Sequence, residues 1–343
     1  MTDNSLQEES KQEESENFLE KLTEKFKNER DKKFTFLLVG RTGVGKSSTV
    51  NSLMGESIAP VGEYEPTTME VKSYESEIGG VKFTIIDTPG LCDDLEEKGN
   101  DYDYLERIRL GVDRIDLMWF TTRLDDTRVY SDEKRGIKLI SEAFKPKIWE
   151  QAIIVFTFAD NLSDDKYPIA LEKRTELIRK EIAKYAGVTI ANNIPSIAVD
   201  NLSEFTPDSE RWLGELYTQV YTRMAREGAG AFFMSTVERI QPPKIEPEVV
   251  EKIVEKVVYV PTPTPPTPIP EPKPKPVASP IYLNERQAEV VLSRTAEILE
   301  ATAVGAGIGA GIGAVAGPVG AVVGGAVGAA VGFVIGWWGS KKK

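Results

Sequence analysis

The sequence predicts an α/β domain with a mixed, mainly parallel sheet, followed by a proline-rich linker and an apolar, glycine-rich tail. Three observations carry this. Between residues 33 and 230, short apolar runs alternate with helix-length patterns, as in βαβ units. The first apolar run ends in a glycine-rich motif, Gly40–Ser47, that opens a helical pattern. After residue 241 the composition changes twice: residues 242–280 hold 13 of the chain's 21 prolines, and residues 301–340 hold 13 glycines and no charge.

Taken in order, residues 1–32 form an acidic arm. Its Phe18, Leu19, Leu22 and Phe26 recur at helical spacing and predict a short amphipathic helix, with a solvated stretch over residues 1–15. Phe34–Val39, Val81–Ile86, Leu117–Thr121, Ala152–Thr157 and Ser196–Val199 read as buried strands. Helical patterns occupy about 46–54, 131–144, 169–185 and 209–226. Val71–Glu77 reads as an edge strand, turned back onto 81–86 through Gly79-Gly80. The stretch VPTPTPPTPIPEPKPKP within 242–280 favours polyproline II and reads as a semi-rigid spacer, with a PxxP ligand as the alternative. Residues 283–300 read as a short amphipathic helix.

The net charge of -12 argues against nucleic acid as a partner. There is no histidine, which excludes imidazole acid–base chemistry, histidine metal ligands and a Ser-His-Asp triad. The lone Cys92 cannot form an internal disulfide. The N-terminus is acidic and polar without an apolar signal region, so the folded domain is expected to face the cytosol.

Gly40-Arg41-Thr42-Gly43-Val44-Gly45-Lys46-Ser47 fits G-x-x-x-x-G-K-[ST], preceded by a strand pattern and continued by Ser48 into a helix. In such a loop the backbone N–H groups wrap a phosphate, Lys46 reaches the β- and γ-phosphates, and Ser47 offers its hydroxyl to Mg²⁺. Asp87-Thr88-Pro89-Gly90 closes the next buried strand. Asp87 is expected to hold Mg²⁺ through water, and the Gly90 N–H to bond the γ-phosphate. Between the motifs, Glu65-Pro66-Thr67-Thr68 offers a threonine to Mg²⁺, with Thr68 favoured over Thr67.

Thr157-Phe158-Ala159-Asp160 ends the strand pattern IIVFTF. A carboxylate there accepts from N1–H and the exocyclic amine of guanine, a donor pair that adenine lacks. Phe158 is placed to stack on the base. Asp200 and Asn201, at the end of the next strand, are placed to cover its other side.

These segments together resemble the septin-like GTPases that include the plastid Toc import receptors and the immunity-associated GIMAP proteins. The resemblance runs through GRTGVGKSSTVNSLMGE (40–56), DTPGLCDD (87–94), RLDDTRVYSDEK (123–134), FKPKIWEQAIIVFTFAD (144–160) and IPSIAVDN (194–201), and spans about residues 34–225. The RLDxxRV segment is nearer the Toc branch. The resemblance implies a Ras-like G domain, GTP and GDP binding with Mg²⁺, slow hydrolysis, and a homodimer or heterodimer formed across the nucleotide face. It also implies that Arg128 reaches toward the partner's nucleotide. The sequence departs from the family in reading Val-Asp-Asn where relatives read Val-Glu-Asn.

Leu91 occupies the position where many GTPases carry a water-orienting glutamine, so intrinsic turnover is expected to be slow and to need help in trans.

In the tail, Gly305, Gly309, Gly313 and Gly317 recur every fourth residue, as do Gly320, Gly324, Gly328, Gly332 and Gly336, with Pro318 between the blocks. As helices the two blocks are roughly 25 Å and 30 Å long, against a bilayer core of about 30 Å. Trp337, Trp338 and Lys341–Lys343 suit an interface and its cytosolic side. A membrane hairpin over 301–340 is the favoured reading, with a single span or an oligomer-packed tail as alternatives. The expectation is a membrane-tethered, GTP-dependent switch. A nucleotide-driven membrane scaffold and a partitioning-type P-loop ATPase are the competing functions.

Overall fold

The computed structural model describes residues 26–59, 72–88, 114–241 and 278–305, with side chains to residue 299, and the isolated positions 23, 106 and 109. Six strands form one sheet: β1 Phe34–Val39, β2 Lys72–Ile78, β3 Val81–Asp87, β4 Leu117–Arg123, β5 Ala152–Thr157 and β6 Ser196–Ala198, in the order β2-β3-β1-β4-β5-β6. β2 runs antiparallel to β3 through the Gly79-Gly80 turn, as its hairpin signal predicts, and the other pairings are parallel.

All residues of β1 and β5 are buried, which is why both read as unbroken apolar runs rather than alternating ones. Successive side chains of β1 enter opposite layers. Phe34, Phe36 and Leu38 pack into one core with α5 (Trp212–Arg223) and α6 (Arg226–Thr236). Leu37 and Val39 enter the other core with α2 (Ser131–Phe144) and α3 (Tyr167–Ala186). α1 (Lys46–Met54) connects β1 to the antiparallel edge, and α4 (Val188–Asn192) precedes β6.

The domain is larger than the predicted 33–230 unit at both ends. Phe26 is fully buried, its ring 5.2 Å from Phe233, so the last residues of the acidic arm belong to the core. The predicted helix over 209–226 breaks at Met224–Ala225 and resumes as α6, whose Phe232 and Phe233 pack beneath β1. The break is anchored by the Ala225 N–H, which donates to the Asp116 carbonyl at 2.7 Å.

Residues 283–300 are not a free helix beyond a spacer. β7 (Ile240–Gln241) pairs in parallel with β8 (Ile281–Tyr282), and α7 (Glu285–Gly305) lies along α5. Val291, Leu292 and Ile298 are buried in the main core, and Tyr221 Oη lies 2.9 Å from Thr295 Oγ1. Gly214 on α5 permits this approach, because a Cβ there would stand 2.0 Å from the Tyr282 carbonyl oxygen. Residues 242–277, which hold most of the proline-rich stretch, lie outside the described residues. Among the described residues no helix is long and apolar enough to cross a membrane; the glycine-rich segment after residue 305 lies outside them.

Candidate functional site

The site gathers at the C-terminal ends of β1, β3, β4 and β5, where open α/β sheets place ligands. Gly40 has φ of +151°, and a Cβ there would stand 2.2 Å from the Thr121 carbonyl oxygen. Only glycine fits that junction of β1 with β4. Thr42 and Gly43 are exposed at the loop tip, and Val44 is buried beneath it. Gly45 is the left-handed N-cap of α1 and gives no side-chain cap. The first-turn N–H groups around Lys46, Ser47 and Ser48 therefore make a site for an anion.

Lys46 is buried. Its Nζ donates to the carbonyls of Gly40 and Arg41, both at 3.0 Å, and lies 3.7 Å from Asp87 Oδ1. That carboxylate oxygen is buried and accepts no hydrogen bond. β3 carries it there because Asp87 pairs with Leu38 in the β1 register, while Thr88 Oγ1 donates to the Leu38 carbonyl at 2.8 Å. An unsatisfied carboxylate oxygen at this strand end suits Mg²⁺ held by oxygen ligands and water. Among the described residues no group of three histidine, cysteine or acidic side chains forms a cation site. Thr67, Thr68, Gly90 and Leu91 lie outside the described residues.

At the end of β5, Phe158 has φ of +57°, which swings it out of the strand, and Asp160 is exposed. The Arg123 guanidinium covers the Phe158 ring at 3.9 Å. Arg123 also makes a two-point bond to Asp125, at 2.9 and 2.7 Å, and Asn161 Nδ2 donates to the same carboxylate at 2.8 Å. The Arg123 bonds hold the Asp125 carboxyl below the usual carboxylate range. Burial instead raises Asp126, against the pull of Arg174.

Three residues predicted to line the nucleotide have protein partners. Thr157 is buried and its Oγ1 donates to the Val44 carbonyl at 2.7 Å, so it props the phosphate loop from below. Asp200 is also buried. Its Oδ1 accepts from the N–H groups of Leu202 at 2.8 Å and Ser203 at 3.2 Å, an Asx turn that shapes its own loop. Asn201 reaches α1 instead, with Nδ2 3.0 Å from Thr49 Oγ1, against the back of Gly45.

Arg128 is exposed, and its guanidinium lies 4.8 Å from the Tyr130 ring centroid. Arg41 of the phosphate loop lies over the same ring at 5.5 Å and pairs with Asp132 at 2.8 Å. The Arg128 segment and the phosphate loop thus share one aromatic platform. Beneath it sits the fully buried Arg174 of α3. Sequence reading missed this residue, since it is one basic position in the charged run EKRTELIRK and carries no motif.

This geometry defines a P-loop nucleotide-binding domain, with a glycine-built loop opening α1 at the C-terminal edge of the sheet. Residues 34–238 match the AIG1 family, and the chain belongs to that family. It is 28% identical over 211 residues to "Translocase of chloroplast 34, chloroplastic" of Arabidopsis thaliana, a match covering 57% of this chain and 67% of that protein. The chain spans only 22%, 20% and 17% of three longer chloroplast translocases of Physcomitrium patens. Toc33 from Arabidopsis thaliana in complex with GDP and Mg²⁺ is 28% identical, the match covering 67% of this chain and 93% of that one at a TM-score of 0.46. A structure from work finding dimerization important for the GTPase activity of chloroplast translocon components atToc33 and psToc159 is 30% identical. It covers 62% of this chain and 89% of that one at a TM-score of 0.47.

Proposed function

We propose that this chain binds GTP and GDP with Mg²⁺, hydrolyses GTP slowly, and acts as a membrane-tethered switch that dimerises across its nucleotide face. The observation that carries this reading is the pairing of a glycine-built phosphate loop with Asp87, whose buried Oδ1 accepts no hydrogen bond and lies 3.7 Å from Lys46 Nζ. Binding exchanges the Gly40 and Arg41 carbonyls for phosphate oxygens at Lys46. Ser47, Thr68 and Asp87 would hold Mg²⁺, which supplies charge neutralisation to the phosphates. The Gly90 N–H senses the γ-phosphate, and Asp160 selects guanine. Leu91 orients no water, so turnover is slow until a second subunit brings Arg128 to the transferring phosphoryl group. Membership of the AIG1 family and the named GTPase relatives support the activity. The uncharged, glycine-spaced segment 301–340 supports the tether, with the domain on the cytosolic side.

The test is nucleotide binding by the full chain in detergent, comparing GDP, GTP and ATP with Mg²⁺. GDP and GTP should bind, and ATP should be excluded. Asp160→Asn should lose GTP and gain xanthosine triphosphate, because the amide NH₂ donates to the xanthine 2-carbonyl that replaces the guanine amine. Equal binding of ATP and GTP would overturn the base assignment.

A further inference from the structure

Arg174 is 2% exposed. It spends its donors on the segment that displays Arg128. Nε donates to the Arg123 carbonyl at 3.2 Å, and Nη1 to the Arg128 carbonyl at 2.7 Å. Nη2 donates to Thr122 Oγ1 at 2.9 Å and Glu133 Oε1 at 2.6 Å, with Asp126 Oδ2 3.7 Å away. Glu133, itself 1% exposed, closes the circuit: its Oε1 also accepts from the Thr122 hydroxyl, and its Oε2 accepts the Tyr130 N–H at 2.9 Å.

A buried arginine needs a carboxylate partner to offset its desolvation, and Glu133 is that partner. The bonds to the Arg123 and Arg128 carbonyls are additional. They fix both ends of one exposed loop from a helix on the far side of it, using the rigid fork of the guanidinium. A point charge cannot span both carbonyls. The loop is otherwise short of apolar anchors: Leu124 and Val129 are buried, and the residues between them are half-buried or exposed.

We propose that Arg174 is a positioning residue that sets where Arg128 stands on the nucleotide face, so that a second copy of this chain can use it. The inference rests on the reading of Arg128 as acting in trans, and the experiment separates the two. An acceptor, full-length Arg128→Ala loaded with γ-labelled GTP, is mixed with excess donor loaded with a non-hydrolysable GTP analogue, and phosphate release is followed in a single turnover. Wild-type donor should accelerate release. Arg174→Lys donor, which keeps the charge opposite Glu133 but cannot bridge the carbonyls, should lose the acceleration by tenfold or more while binding GDP like wild type. The double variant Arg174→Gln, Glu133→Gln does not leave Glu133 as an unpaired buried carboxylate and should show the same loss, which covers a Lys variant that does not fold. A Lys donor that accelerates release like wild type would overturn the proposal. So would one whose GDP affinity falls in step with its stimulation, since that marks a role in general folding. A wild-type donor that gives no acceleration removes the reading of Arg128 itself, and with it this inference.

Discussion

The Thr157 hydroxyl donates to the carbonyl of Val44 across 2.7 Å, so the end of β5 holds up the glycine-rich loop. The same hydroxyl lies 3.3 Å from the Thr122 carbonyl at the end of β4. One buried threonine thus ties β5, β4 and the loop that wraps the phosphates. Its place in Thr-Phe-Ala-Asp is fixed by what lies under the loop.

Thr157→Val keeps the shape and removes the donor. The Val44 carbonyl is then left buried without a partner, at a cost of about 1–3 kcal/mol that falls on the bound loop geometry. GDP binding, measured by titration calorimetry, should weaken roughly tenfold or more. Discrimination against ATP should be unchanged, because Asp160 is exposed and independent of this bond. A Thr157→Val protein with wild-type GDP affinity would show that the loop holds its shape without the strand.

The parts of this molecule legible in the sequence are those where one residue type answers one local demand. Gly40 must be glycine because the Thr121 carbonyl leaves no room for a Cβ, and β1 and β5 are unbroken apolar runs because both their faces are covered. Lys46 and Asp87 are found by spacing along alternating elements. Arg174 was not legible. Its meaning comes from Thr122, Arg123, Arg128 and Glu133, which lie 41 to 52 residues away in the chain. Asp200 and Asn201 were legible as a motif at a strand end but not in their partners, because an Asx turn and a base contact ask for the same side chains. The docking of α7 was hidden too. An amphipathic helix reads the same whether its apolar stripe meets a bilayer or, as here, α5.

Asp125 gives the site an acid limit. Its two-point bond to Arg123 holds its carboxyl below the usual range, so the pair stabilises the folded state above about pH 4 and the contribution is lost as pH falls through the lower folded value. Both side chains are partly solvated, which keeps the contribution to about 1 kcal/mol. Asp125→Asn should therefore melt slightly below wild type at neutral pH, and the two melting temperatures should converge as the pH falls below about 4. Parallel curves across that range would mean that the carboxylate charge is idle. Because Arg123 covers Phe158 at 3.9 Å, the same variant should also free the ring where the base is expected to stack.

Arg239 joins the nucleotide-binding half of the domain to the segment that returns after the proline-rich stretch. Its Nη2 donates to the Ser52 carbonyl at 3.0 Å and to the Ser279 carbonyl at 2.7 Å; Nε reaches the same Ser279 oxygen at 3.0 Å, and Nη1 bonds the Leu53 carbonyl. Ser52 and Leu53 are in the last turn of α1, whose carbonyls are the negative end of the helix that begins at the phosphate loop. Burial pushes the Arg239 pKa down to about 10, so the side chain is still charged at neutral pH, and carbonyl oxygens rather than a carboxylate stabilise it. Arg239→Met should cost about 2–4 kcal/mol by chemical denaturation, because several partly buried carbonyls lose their donor together. The loss should be largest at the return segment, so limited proteolysis should cut within residues 278–299 well before the sheet is touched. Saturating GDP should restore part of that protection if α1 transmits order from the phosphate loop to its far end. Protection that GDP leaves unchanged would confine Arg239 to holding the segment in place, with no link between the nucleotide and the helix that leads into the tail.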